Sequence, residues 1–143
     1  MADFNVDIKE LIPQREPFIM IDKLLFADED FTKTSFTINS ENLFCRNGYF
    51  SEAGLIETMS QTGAAGIGFY TKNNNLPTPI GFIGALKNLK IHFLPEVDSV
   101  IEGEMRIETK MVNVSIAKAK IICNQKIAAE GEFKIFIIEN LKS

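Results

Sequence analysis

One histidine, His92, and two cysteines, Cys45 and Cys123, are present in 143 residues. A lone histidine without a serine and aspartate signature around it argues against a Ser-His-Asp hydrolase. The cysteines stand far apart and form no CxxC pair, so both are read as reduced thiols of a cytoplasmic protein. No grouping of His, Cys, Asp and Glu has metal-ligand spacing, and no glycine-rich phosphate loop follows a strand. Neither a metal nor a cofactor is expected. The net charge is −4, the wrong sign for an electrostatic nucleic-acid binder. No apolar stretch reaches the roughly 18 residues that span a bilayer. The opening MADFNVDIKELIPQ has neither a basic start nor an apolar run, so no export signal is read in it. Repeats, low-complexity tracts and composition breaks are also missing, and the length suits one domain, residues 1–143.

Glycine, by contrast, is concentrated. The stretch NGYFSEAGLIETMSQTGAAGIGFY, Asn47 to Tyr70, holds five glycines and still has helical spacing. Ser51 suits an N-cap and Glu52 the positive helix start. Ile56, Met59, Gly63, Ile67 and Tyr70 recur as one apolar face. Gly54, Gly63, Gly66 and Gly68 together concede about 3–4 kcal/mol of helix propensity. A strongly curved sheet that wraps the helix would explain the sacrifice. Gly63, Ala64, Ala65, Gly66 and Gly68 then let strands approach from several directions. The alternative is that the glycines mark an irregular loop.

Around this segment the chain reads mainly as strand. VDIKELI, Val6 to Ile12, is a short amphipathic piece ended by Pro13. FIMIDKLLFADED and FTKTSFTIN read as two strands joined near Glu29–Asp30. SENLFCRN suits a helical turn capped by Ser40, and KNNNLPTP, Lys72 to Pro79, a loop. From Ile101 to Met111, apolar or small residues alternate with Glu102, Glu104, Arg106, Glu108 and Lys110, a sheet with one wet face. VSIAKAKIIC and KIAAEGEFKIFII continue the pattern across a tight turn at Asn124–Gln125. The last strand is apolar on both sides at Phe136 and Ile138, which predicts cover on both faces, for instance by a second subunit.

One long helix wrapped by a curved antiparallel sheet is the α+β hotdog architecture, and particular residues carry the resemblance. LIPQREPFIMIDKLL, Leu11 to Leu25, resembles the opening of 3-hydroxyacyl-ACP dehydratases, where P-H-R-x-P-F-x-x-x-D is usual. FCRNGYF…LIETMSQTGAA resembles their G-H-F-P…L-I-x-E-A-M-A-Q-x-A-A segment. LKNLKIHFLPEVDSVIEGEMRI resembles their central strand. The resemblance implies a dimer with joined sheets, either a homodimer or a heterodimer with another hotdog chain. It places Glu57 at the acidic residue of the central helix, which in the family works with a histidine of the partner subunit, and Gln61 at the glutamine one turn on. Tyr49 stands where the family has its catalytic histidine, and Gln14 where it has the histidine of the opening motif. The stretch from Tyr49 to the helix is also shorter and lacks the usual prolines. These departures resemble a divergent branch from specialised acyl-chain pathways such as aryl-polyene lipids. Catalytic candidates are thus Glu57 and Tyr49, and substrate-binding candidates are Gly48, Phe50, Gly54, Gln61 and Phe82.

Dehydration of a 3-hydroxyacyl thioester needs a base for the proton alpha to the carbonyl and an acid for the departing hydroxyl. Glu57 supplies one of these. Free N–H groups at the helix start, left accessible by Gly54, would stabilise the enolate-like charge. A phenol is a poor base at neutral pH, so Tyr49 is better suited to donate a proton or line the pocket. His92 is either a half-buried strand residue or a relocated partner for Glu57. Acyl carriers are acidic, so a basic rim is expected, with Arg46, Lys72, Lys87 and Lys90 as its members. Three functions remain open: a dehydratase acting on an acyl carrier protein or CoA thioester, a thioesterase on the same fold, and a non-catalytic subunit that completes a site with a histidine-bearing hotdog partner.

Overall fold

A computed structural model describes residues 3–77 and 80–138. A short 3-10 turn, Ile8–Glu10, precedes strands β1 (Lys23–Ala27) and β2 (Phe31–Thr37). A small hairpin, β3 (Cys45–Arg46) and β4 (Tyr49–Phe50), leads into helix α1 (Glu52–Asn73). Four long strands follow: β5 (Ile80–Ile91), β6 (Val100–Lys110), β7 (Val114–Cys123) and β8 (Lys126–Ile138). The six longer strands form one antiparallel sheet in the order β1-β2-β6-β7-β8-β5. The sheet curves around α1, which lies mainly over β2 and β6. This is the expected hotdog arrangement.

Alternation along the strands sets the two faces. Ile101 and Met105 of β6, Ala117, Ala119 and Ile121 of β7, and Phe133 and Ile135 of β8 are buried against the helix. On the outer face, Lys33, Glu104, Lys120, Glu130 and Lys90 stand side by side across β2, β6, β7, β8 and β5. Opposite charges thus alternate over five strands, a solvated pattern that favours cross-strand pairing. The β7–β8 turn forms at Asn124–Gln125, both with positive φ (52° and 66°), the conformation of a two-residue hairpin loop.

The helical glycines answer four different neighbours. A Cβ on Gly54 would lie 2.5 Å from the Phe50 ring, and one on Gly63 would lie 2.5 Å from Met105 Sδ. On Gly66 it would collide with the Thr32 hydroxyl, and on Gly68 with the Leu11 carbonyl. Close approach from several directions is what a wrapped helix requires, so the lost propensity is offset by packing.

Two expectations need correction. Of the predicted apolar stripe only Met59 is fully buried, whereas Ile56, Gly63 and Ile67 are half-buried and Tyr70 is exposed. The buried face carries Leu55, Thr58, Thr62, Ala65, Gly66 and Phe69 instead. Threonine serves there because its hydroxyl bonds inside the interface. Thr58 Oγ1 donates to the Gly54 carbonyl (2.9 Å) and Thr62 Oγ1 to the Thr58 carbonyl (2.7 Å). Thr62 has then used its only proton, so Thr34 Oγ1 donates to it across 2.8 Å. Second, Ser40 caps no helix. The segment folds as turns in which the Asn39 and Asn42 side chains accept from the N–H groups of Glu41 and Phe44 (2.9 and 2.8 Å), a local alternative to helix. The last strand, β8, is interior to the sheet, and the Phe136 ring lies against Gly84 of β5. Part of its outer cover therefore comes from within the chain.

Candidate functional site

Glu57 sits in the second turn of α1, half-buried, with its position governed by Gln61 one turn on. Gln61 has 0% exposure and spends its whole amide on named partners. Its Oε1 accepts from the Met20 N–H (2.7 Å), and its Nε2 donates to the Phe18 carbonyl (2.8 Å) and to Glu57 Oε1 (3.0 Å). The Met20 N–H can only meet the oxygen of the amide, so the nitrogen must face Glu57. One carboxylate oxygen is thereby tied to the opening segment, and no protein hydrogen bond among the described residues takes Oε2. A half-buried carboxylate held by one oxygen can accept or deliver a proton at the other.

The opening segment is itself braced. Arg15 donates from Nη1 to the Ile12 and Gln14 carbonyls (2.9 and 2.7 Å) and from Nη2 to the Lys9 carbonyl (3.0 Å). The Phe18 N–H returns to the Arg15 carbonyl (2.9 Å). Arg15 and the Phe18–Met20 backbone were not singled out from the sequence, although the QREPF motif that resembles the family's opening was their signal. Gln14, in the same motif, has its side-chain oxygen buried without a hydrogen-bond partner among the described residues.

Ahead of the helix, Asn47 (φ 53°) and Gly48 (φ 83°) form the tip of the β3–β4 hairpin. Arg46 and Tyr49 are paired across it and both are exposed, Tyr49 at 44%. They share one face of the hairpin, while Cys45 and Phe50, the next pair, turn inward. Among the described residues no hydrogen bond joins Tyr49 to Glu57. Burial raises the Cys45 thiol above its ordinary pKa, which disfavours a reactive thiolate.

Other candidates fall in different places. Phe50 is fully buried, against Phe36 and the bare backbone of Gly54. It supports the helix start from inside the core. Gly54 is buried too, and its N–H is already capped by Ser51 Oγ (3.4 Å), so it does not leave that donor accessible as expected. Phe82 pairs with Phe136 through its backbone, and its side chain lies outside the described residues. His92 is exposed, beyond the end of β5, and its Nε2 meets Glu130 Oε2 at 2.8 Å. That hydrogen bond is the main cause holding the Glu130 carboxyl below its ordinary range. His92 thus partners Glu130 and not Glu57. The four expected rim cations are not gathered. Arg46 is at the hairpin, Lys72 at the far end of the helix bridges Glu10 (3.1 Å), and Lys87 and Lys90 pair with Glu132 and Glu130 across β5 and β8.

Among the described residues, two of the hollows stand out. The larger, ≈ 620 Å³, lies on the outer sheet face among Lys90, Glu104, Lys118, Lys120, Glu130 and Glu132. Its walls are the charge rows described above, and it is remote from Glu57. The smaller, ≈ 300 Å³, lies between the C-terminal half of α1 and the inner sheet. Among the described residues, no helix is long and apolar enough to cross a membrane, and no three His, Cys, Asp or Glu side chains are grouped to hold a metal.

Comparison with known proteins agrees with this geometry. A 3-hydroxyacyl-[acyl-carrier-protein] dehydratase FabZ of Clostridium botulinum strain Okra is 30% identical over 144 residues, covering 95% of each chain. The dehydratase heterocomplex ApeI:P of Xenorhabdus doucetiae contains a chain that superposes with a TM-score of 0.80 at 12% identity, over 94% of this chain and 93% of that one. A hypothetical thioesterase of Streptococcus pneumoniae, solved with coenzyme A, gives 0.68 at 9% identity, over 84% and 88%. The two structural likenesses speak for the fold. The ApeP-like model, described as ApeP dehydratase, matches residues 6–143, and the chain accordingly belongs to this family of hotdog-fold, 3-hydroxyacyl-ACP dehydratase-like proteins.

Proposed function

We propose that this chain works on a 3-hydroxyacyl thioester, delivered by acyl carrier protein or as a CoA ester, with Glu57 as an acid/base group. The observation that carries the reading is the Gln61 clamp, which ties one Glu57 oxygen to the Phe18–Met20 backbone and leaves the other for substrate. In the reaction, the C2–H bond breaks as a base takes its proton. The electron pair forms the C2–C3 double bond, the C3–O bond breaks, and the hydroxyl leaves as water on receiving a proton from the acid. Glu57 fills one of these roles.

The second role falls to a histidine of a partner hotdog chain, because His92 is engaged with Glu130 and Tyr49 is an unsuitable base. Strand β5 is a sheet edge, where a second sheet can be added strand to strand. A related dehydratase is described as a heterocomplex, which favours two unlike chains. Arg46 and Tyr49, side by side on the hairpin, are the groups best placed to meet the polar arm of the incoming thioester. Incubation of the chain, alone and with a co-purifying hotdog partner, with 3-hydroxyacyl-ACP should give a product lighter by one water only when the partner is present. Release of free thiol in place of water loss would establish the thioesterase reading.

A further inference from the structure

The opening segment meets α1 at two places. The Leu11 carbonyl lies against the bare backbone of Gly68, with the Leu11 and Ile12 side chains buried. Farther on, the Phe18 carbonyl and the Met20 N–H hold the Gln61 amide. Gly68 and Gln61 stand about two turns apart on the helix, about 10 Å along its axis. The chain from Leu11 to Phe18 could extend to about 24 Å, so it crosses that interval with slack. Burial does not hold the crossing in shape, since Pro13, Arg15, Glu16 and Pro17 are exposed and Gln14 is half-buried. Pro13 and Pro17 also lack the N–H that could bond it to itself.

Arg15 takes up the slack. Its Nη1 donates to the Ile12 and Gln14 carbonyls (2.9 and 2.7 Å) and its Nη2 to the Lys9 carbonyl (3.0 Å). Among the described residues no backbone N–H takes those three carbonyls. One planar fork thus gathers acceptors from before and within the crossing, through charge-assisted bonds stronger than neutral ones. A lysine ammonium, a point charge on a flexible stem, lacks that fixed geometry. The Phe18 N–H then returns to the Arg15 carbonyl (2.9 Å), so one residue sets the shape of the crossing and the start of the stretch that grips Gln61. From there the contacts run from the Phe18 carbonyl to Gln61 Nε2 and on to Glu57 Oε1 (2.8 and 3.0 Å). The Lys9–Glu16 ion pair (2.8 Å) spans the same crossing, but both side chains are exposed and such pairs contribute little.

We infer that Arg15 is a positioning residue for Glu57: its fork shapes the run from Lys9 to Phe18 and, through the Gln61 clamp, sets the direction in which the carboxylate faces substrate. The inference rests on the reading of Glu57 as the acid/base group, and its test separates the two. Hydrogen exchange of the full chain, followed by NMR, reads the clamp without turnover. Arg15→Met should speed exchange at the Met20 N–H and the Gln61 side-chain amide by about tenfold relative to the Met105 and Ala119 N–H groups of the sheet. Arg15→Lys keeps the charge without the fork and should repeat the effect, and it serves where the methionine variant folds poorly. With the proposed hotdog partner and a 3-hydroxyacyl-ACP, both variants should lower kcat by about 10- to 100-fold with KM little changed. Arg15→Met combined with Gln61→Met should be no slower than Gln61→Met alone, because both changes act on one clamp. Exchange at Met20 and Gln61 that stays at the wild-type rate, or rises in step with the sheet, would overturn the positioning role. So would wild-type kcat in the Arg15 variants where Glu57→Gln has lost turnover. Selective exchange at Met20 and Gln61, with full kcat in the Arg15 variants and in Glu57→Gln alike, would overturn only the catalytic reading.

Discussion

Replacing Gln61 by methionine tests the clamp at the heart of the site. Methionine is unbranched and similar in volume, so it leaves little void. What it removes is the amide. The Met20 N–H, bonded at 2.7 Å in the interior, and the partly buried Phe18 carbonyl, bonded at 2.8 Å, both lose their partner. A buried polar group left unsatisfied costs about 1–3 kcal/mol. The Phe18 carbonyl can be reached by water and belongs at the low end, which gives about 2–4 kcal/mol in all. Glu57 adds little, because it is half-exposed and can exchange the lost donor for water. Urea unfolding with linear extrapolation reads the change directly. With about 2–4 °C lost per kcal/mol at this size, the melting temperature should fall by about 4–16 °C. A loss below about 0.5 kcal/mol would mean that the opening segment is held by other contacts, and the argument that Gln61 positions Glu57 would fail.

Gly68→Ala drives a methyl into the Leu11 carbonyl, which belongs to backbone, whereas Gly63→Ala meets only the flexible end of Met105. The first should cost about 1–3 kcal/mol from overpacking and the second close to nothing, and equal urea midpoints for the pair would contradict the wrapped-helix account. The Asp28 carboxyl is held below its ordinary pKa by the N–H of Asp30 first and that of Phe31 next. With a depressed folded-state pKa, its contribution is complete above the unfolded value near 3.8 and is lost as pH falls through the folded value. The stability gap between wild type and Asp28→Asn should therefore close on acidification, and a gap independent of pH would refute the assignment. Gln125 holds φ 66°, so Gln125→Gly should raise stability by about 1 kcal/mol through relief of left-handed strain. An unchanged urea midpoint would count against that strain.

Much of the fold was legible because its signals are local. Period-two alternation located β6, β7 and β8, the Asn124–Gln125 turn separated the last pair, and Ser51 marked the helix start. The helix face was misread because hydrophobicity pointed to Ile56, Ile67 and Tyr70, while the sheet meets Thr58 and Thr62. Hydroxyls that bond within an interface look polar in sequence and behave as core. At the site, Glu57 and Gln61 stand one helical turn apart in the sequence, and a hydrogen bond of 3.0 Å joins them. The backbone partners at Phe18 and Met20 lie 43 and 41 residues away in sequence, beyond any periodicity argument. Local reading also left Phe50 beside the substrate, because Phe50 follows Tyr49 in the hairpin. Strand alternation turns those two side chains to opposite faces. The rim cations were grouped by charge alone, and the fold distributes them over a hairpin, a helix end and the outer sheet.

The most direct test of the account is the dehydration rate of Glu57→Gln beside wild type, each assembled with the proposed hotdog partner and supplied with a 3-hydroxyacyl-ACP. Glutamine preserves shape and can still accept the Gln61 donor bond, so folding and binding should persist. Loss of the proton-transfer group should lower kcat by about 10²- to 10⁴-fold with KM little changed. Turnover within a few fold of wild type would contradict a proton-transfer role for this carboxylate.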